Sequence, residues 1–169
     1  THTAKRPTWS PNGDGLLFFN ESERAWFVID AATHRRTRLA ADTSDLGHDS
    51  RGVPSSGRFG RAMPGDRALV WSDGKDLWAV PLDGSPPRNL TRTGRRDGIT
   101  YAHLVLDSDQ PYGADEQIML LSSTNDRTKA EGLHRLNLST LKMETLLCMD
   151  KDLGSPVKAK DAERYVISL

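Results

Sequence analysis

The chain has 169 residues, with 23 Lys and Arg against 23 Asp and Glu, for a formal net charge of zero. That length suits one domain and is short for two, and the balanced charge supplies no basic field for nucleic acid. The single cysteine, Cys148, excludes an internal disulfide, and no apolar run reaches the length of a membrane span or a signal-peptide core.

Residues 6–9 read as a short strand ended by Ser10-Pro11-Asn12-Gly13, a turn in which proline presets φ and glycine supplies a positive φ. Leu16–Phe19, Arg24–Asp30 and Arg36–Leu39 complete a set of four strands, and the polar stretch 40–57 is a connecting loop. A second set opens at Arg58–Ala62, turns at Met63-Pro64-Gly65-Asp66 and continues as Ala68–Ser72. After the tight turn Asp73-Gly74-Lys75 comes the alternating run GKDLWAVPLDGSPPRNLT (Gly74–Thr91), a hairpin folded at Asp83-Gly84. Residues 93–98 connect to a third set: Tyr101–Leu106, Gln117–Ser122, Gly132–Leu138 and Glu144–Leu147. A fourth begins with Pro156–Lys160 and Tyr165–Leu169. No segment carries a sustained helical period, so almost no helix is expected.

The hairpin is written three times: FVIDAATHRRTRL, WAVPLDGSPPRNL and HRLNLSTLKMETL. Phe27, Trp78 and His134 open the copies, Ile29, Val80 and Leu136 follow two steps later, and Leu39, Leu90 and Leu146 close them. The second strands align at Leu17, Leu69, Met119 and Val166, spaced 52, 50 and 47 residues apart. Strand repeats of this period mean blades of a propeller or of a related array. The expected fold is all-β, a partial β-propeller with about three four-stranded blades (6–39, 58–91 and 101–147) and the start of a fourth (156–169). Second strands apolar at every position fit burial on both faces between blades. Trp78 and Leu90 are expected in that core. The opening THTAKRPTWS enters a repeat directly and the closing ERYVISL stops inside an apolar run, so the chain reads as a segment of a longer one. Bare end blades should then self-associate through open edges and apolar faces.

Chemistry-bearing residues are few. The five histidines are scattered without ligand spacing, so neither metal nor cofactor is expected. His134 stands where its repeats carry Phe27 and Trp78, which favours packing with a satisfied ring nitrogen. Asp107 with Asp109 and Asp150 with Asp152 lack the acidic, glycine-centred continuation of a calcium loop. Asn20, Asn89 and Asn137 stand in glycosylation sequons; Asn89 and Asn137 fall inside the repeated hairpins, where strand ends and turns explain them better, and Arg35-Arg36 and Arg95-Arg96 read as solvated turns or loops. Arg61 and His103, on first strands among apolar or small neighbours, are the candidates to face a propeller channel. No Gly-x-Ser-x-Gly occurs; Gly52–Gly57 has the wrong spacing and lies in a connector. The repeat pattern brings no serine to a histidine either, so no catalytic residue is assigned.

Ser10-Pro11-Asn12-Gly13 before an apolar strand, and DLWAVPLDGSPPRNLT (Asp76–Thr91), resemble repeats of bacterial propellers related to the Tol system and to prolyl oligopeptidases. STNDRTKAEGLHRLNL (Ser123–Leu138) and PVKAKDAERYVIS (Pro156–Ser168) resemble the propeller of large bacterial members of the prolyl oligopeptidase family of serine peptidases. The resemblance covers nearly the whole chain. It implies a non-catalytic, substrate-gating propeller in a bacterial periplasm or cytoplasm. Its partners would be the α/β-hydrolase domain of the parent chain, which carries the triad, or a second copy, with short peptides passing through. The alternative it implies is a protein-binding propeller of the Tol-type periplasmic class. Neither nucleic acid nor a membrane is expected as a partner.

Overall fold

Alternating apolar runs separated by Asx- and glycine-containing turns do form antiparallel sheets. The structure, a computed structural model, describes residues 7–10, 13–20, 22–23, 25–39, 63–65, 67–106, 117–150, 152–154, 156–159 and 164–167. The expected loop 40–57, the strand Arg58–Ala62 with Arg61, and the pair Asp107 and Asp109 lie outside them. The first sheet runs in order through β1 (Thr8–Trp9), β2 (Gly15–Asn20), β3 (Ala25–Asp30) and β4 (Arg36–Leu39). The second comprises β5 (Ala68–Ser72), β6 (Leu77–Pro81) and β7 (Arg88–Asn89). A single helical turn, α1 (Gly94–Asp97), precedes the third sheet of β8 (Ile99–His103), β9 (Ile118–Asn125), β10 (Glu131–Asn137) and β11 (Met143–Met149). β12 (Val157–Lys158) and β13 (Tyr165–Val166) pair as a fourth, two-stranded sheet.

One loop design recurs. Asp30, Asn125 and Asn137 each end a strand, and each Oδ1 accepts the N–H groups two and three residues on at 2.7–3.1 Å. The residue four further on, His34, Lys129 or Leu141, takes a positive φ of 55–64° and returns its N–H to the carbonyl of the Asx residue. A threonine at the third loop position (Thr33, Thr128 or Thr140) accepts the N–H two residues later. Side chain and backbone together close each turn before the strands meet.

Two registers depart from expectation. β2 pairs with β3 so that Leu16, not Leu17, lies opposite Ile29, as Met119 lies opposite Leu136 in the third sheet. The bond from Leu82 N–H to Arg67 O, 2.9 Å, puts Leu69 level with Val80 in the second. The equivalent second-strand positions are therefore Leu16, Leu69 and Met119. A slip of one residue exchanges the two faces of a strand, and in Leu-Leu-Phe-Phe both registers read as apolar. The second departure is in the third blade, where Leu133 pairs with Leu147 and His134 with Thr145. Leu146 is thus the extra residue of a β-bulge and is 42% exposed, whereas Leu39 and Leu90 are buried as expected.

The chain divides into two compact units, 1–74 with 78–89, and 75–77 with 90–169. In the first, Leu17, Val28 and Leu39 of one sheet pack with Leu69, Trp71 and Val80 of the next, and Trp26 meets Trp71 edge to face at 6.2 Å. Trp78 borders this core half-buried, its indole N–H donating to Asp73 at 3.2 Å, and is less enclosed than the repeat implied. Gly84, at φ +85°, seats the β6–β7 turn against β4; a Cβ there would stand 2.8 Å from the Arg38 carbonyl oxygen. In the second unit Tyr101, Met119, Leu121, Leu136 and Leu138 are buried.

Candidate functional site

Two buried polar clusters lie in the second unit. The first is centred on Asp76, 3% exposed, at the repeat position that Ala25 and Gly132 occupy elsewhere. Its Oδ1 accepts the Thr91 hydroxyl at 2.6 Å and the Gly94 N–H at 2.9 Å, and its Oδ2 accepts the Arg95 N–H at 3.2 Å. Thr91 Oγ1 in turn accepts the Leu77 N–H at 3.1 Å. The carboxylate thus holds the first N–H groups of α1, which a single helical turn cannot satisfy itself. Gly94 permits the approach, since a Cβ there would meet the Lys75 and Ile99 carbonyl oxygens at 2.7 Å. Lys75 extends the cluster, donating to Thr100 Oγ1 at 3.1 Å and pairing with Asp126, whose carboxyl this hydrogen bond holds below its usual range.

The second cluster crosses the third sheet. Tyr101, Ser123 and Gly132 lie opposite one another on β8, β9 and β10, and His134 lies two residues on from Gly132 on the same face. Ser123 Oγ and His134 Nε2 are 2.7 Å apart, and His134 Nδ1 and Thr145 Oγ1 3.1 Å. The Tyr101 ring meets the imidazole edge to face at 5.7 Å, and its hydroxyl is 3.0 Å from Thr93 Oγ1. Gly132 makes the space: a Cβ would stand 2.6 Å from Ser123 Oγ and 2.7 Å from His134 Nε2.

A serine and a histidine therefore do meet, contrary to expectation, because the β9–β10 register rather than the repeat brings them together. The surroundings favour structure over nucleophilic chemistry. Both residues are buried, and burial pushes the imidazole pKa down from its ordinary value, weakening it as a base. A threonine hydroxyl, not a carboxylate, faces Nδ1, so no charge steadies an imidazolium. His134 thus packs with both ring nitrogens hydrogen-bonded.

His103 ends β8, half-buried and level with Leu121, on the same face as His134. No cluster of three or more His, Cys, Asp or Glu suited to a metal occurs among the described residues. A cavity of about 230 Å³ lies between the third sheet and the β12–β13 hairpin, lined by Leu104, Ser122, Thr124, Glu131, Leu133 and Ile167 among others. Glu131 Oε2 anchors its rim by accepting the Leu153 N–H at 2.7 Å. The Asp76 node was detectable in sequence only as an acid at an otherwise small buried position.

No protein-family model matches the chain, and no curated protein matches it. Among solved structures it is similar to the oligogalacturonate lyase of Vibrio parahaemolyticus, with a TM-score of 0.57 and 12% identity over 90% of this chain and 41% of that one. It is also similar to a protein of Agrobacterium tumefaciens assigned as TolB, with a TM-score of 0.50 and 13% identity over 94% of this chain and 50% of that one. The chain thus spans half or less of the length of either. Both are β-propellers, and at such identity the likeness defines architecture: the chain folds as β-propeller blades.

Proposed function

We propose that the chain is a non-catalytic propeller module that acts by binding another protein, as the Tol-type resemblance implies. The observation that carries this reading is where its polar groups are used. Asp76 and His134, buried ionisable side chains among the described residues, are engaged with neighbouring hydroxyls and backbone N–H groups of their own unit. Apolar side chains, by contrast, stand exposed on sheet faces. The fold likeness to a TolB-type propeller supports the same reading.

The test has two arms. A partner captured from bacterial periplasmic or cytoplasmic extract, then purified, should bind saturably with a micromolar or tighter Kd. Turnover of a proline-containing peptide by the purified chain, abolished both by a serine-directed inhibitor and by Ser123→Ala, would overturn the non-catalytic reading. A second reading, the gating propeller of a prolyl-oligopeptidase-like peptidase, rests on the resemblance of Ser123–Leu138 and Pro156–Ser168. It requires the module to dock on an α/β-hydrolase domain and to narrow that domain's substrate range by size.

A further inference from the structure

The cross-strand registers sort the first sheet into two faces. One carries Leu17, Val28 and Leu39 and packs against the second sheet. The other carries a row across all four strands, Trp9, Leu16, Ile29 and Arg36, and beside it Phe18, Phe27 and Arg38. Phe27 is buried because the Arg36 guanidinium, paired with Glu23, lies 3.7 Å over its ring centroid. Trp9 is 59% exposed, and Leu16, Phe18 and Ile29 are only half-buried. The equivalent positions elsewhere are closed. Leu69, Trp71 and Val80 in the second sheet, and Met119, Leu121 and Leu136 in the third, are all buried. This face type is thus covered in two sheets and open in the first.

The type of surface that covers it is visible within the first unit, where the second sheet's copy of the face packs on Leu17, Val28 and Leu39. A free surface of the covering type exists on the β12–β13 hairpin. Val157 and Val166 lie opposite each other, 67% and 74% exposed. The next residue, Ile167, lines the cavity against the third sheet, so alternation turns Val166 the other way, outward. Of the four large apolar side chains exposed among the described residues, three (Trp9, Val157 and Val166) belong to these two surfaces.

We propose that the chain associates head to tail with a second copy of itself. The Trp9–Leu16–Phe18 face of one copy covers the Val157–Val166 face of the next, repeating the packing mode between its first two sheets. The contact is heterologous, since one face type meets the other. It therefore either closes into a ring or grows.

The experiment is light scattering coupled to size separation across a concentration series of the full 169-residue chain. Wild-type mass should rise with concentration. Trp9→Glu and Val166→Glu should each stay monomeric, because each removes one half of the contact. Mixed in equal amounts they should recover a dimer and stop there, since a single intact head and a single intact tail remain to meet. Both side chains are exposed, so unchanged circular dichroism and Tm are expected. Trp9→Ser and Val157→Ser replace any charged variant that fails that control. A wild-type mass that stays monomeric at every concentration overturns the proposal. So does association that survives in either variant alone, which would mean like faces meeting, or a mixture that stays monomeric.

Discussion

Asp76 is buried and accepts three hydrogen bonds, so its replacement should be costly. Replacing it with alanine removes the acceptor from the Thr91 hydroxyl and from the N–H groups of Gly94 and Arg95. A hydrogen bond to a charged group contributes about 1.5–3 kcal/mol, and a buried donor left unsatisfied costs about 1–3. The Arg95 N–H is part-buried and regains water, so the three do not add fully. The expected loss is about 3–5 kcal/mol, a large share of a typical total of about 5–15. At a urea m-value of about 2 kcal/mol/M, the midpoint should fall by about 1.5–2.5 M. Asp76→Asn keeps one acceptor but turns an NH₂ towards a donor, and should cost about 1–2 kcal/mol. Thr91→Val strips both the donor to Asp76 and the acceptor for Leu77 N–H, at about 1–3 kcal/mol. Because the two residues share one network, the double variant should show a coupling of about 0.5–3 kcal/mol. An Asp76→Ala stability within about 0.5 kcal/mol of wild type, the usual range for an inert surface change, would refute the node. So would strict additivity with Thr91→Val.

Four other outcomes are expected. Gly132→Ala forces a methyl into the Ser123–His134 contact and should cost about 1–3 kcal/mol; an unchanged thermal midpoint would mean that the pair does not constrain the sheet. Burial lowers the His134 pKa in the folded state, so the unfolded chain binds the extra proton first. Stability should therefore be flat above about pH 6.5 and fall as pH drops below it. That slope should vanish in His134→Gln, and separately, at pH below the ordinary carboxylate value of 3.8, protonation of Asp30, Asp83, Asp97 and Asp126 should weaken the fold again. Lys129 holds a positive φ of 64° on an exposed loop, so Lys129→Gly relieves left-handed strain and should raise stability by about 0.5–1 kcal/mol in urea titration, whereas a loss would mean that its side chain carries the turn.

Strand placement is a local property, and it was legible. Arg36–Leu39 and Ala68–Ser72 form strands with the bounds that alternation and turn residues imply. The near absence of helix among the described residues follows in the same way, one turn at Gly94–Asp97 apart. A further local signal lies in the sequence: Asp/Asn-x-x-Thr at Asp30, Asn125 and Asn137 encodes the shared loop, because both side chains bond within five residues.

Pairing between distant strands is different. Leu16 and Leu17 are identical in chemistry, so only the bonds to β3 decide which one faces the second sheet. The bulge that expels Leu146 arises from the β10–β11 register, which alternation along β11 alone does not encode. Ser123 reaches His134 because β9 and β10 pair as they do and Gly132 leaves the gap, and Asp76 finds Thr91 fifteen residues on. Sequence by itself determined the strands, their turns and the blade period, since these rest on side-chain alternation and backbone preference over a few residues. Tertiary structure alone decided which apolar face is covered and which stays open, because burial depends on the neighbouring sheet that a strand's own residues do not specify.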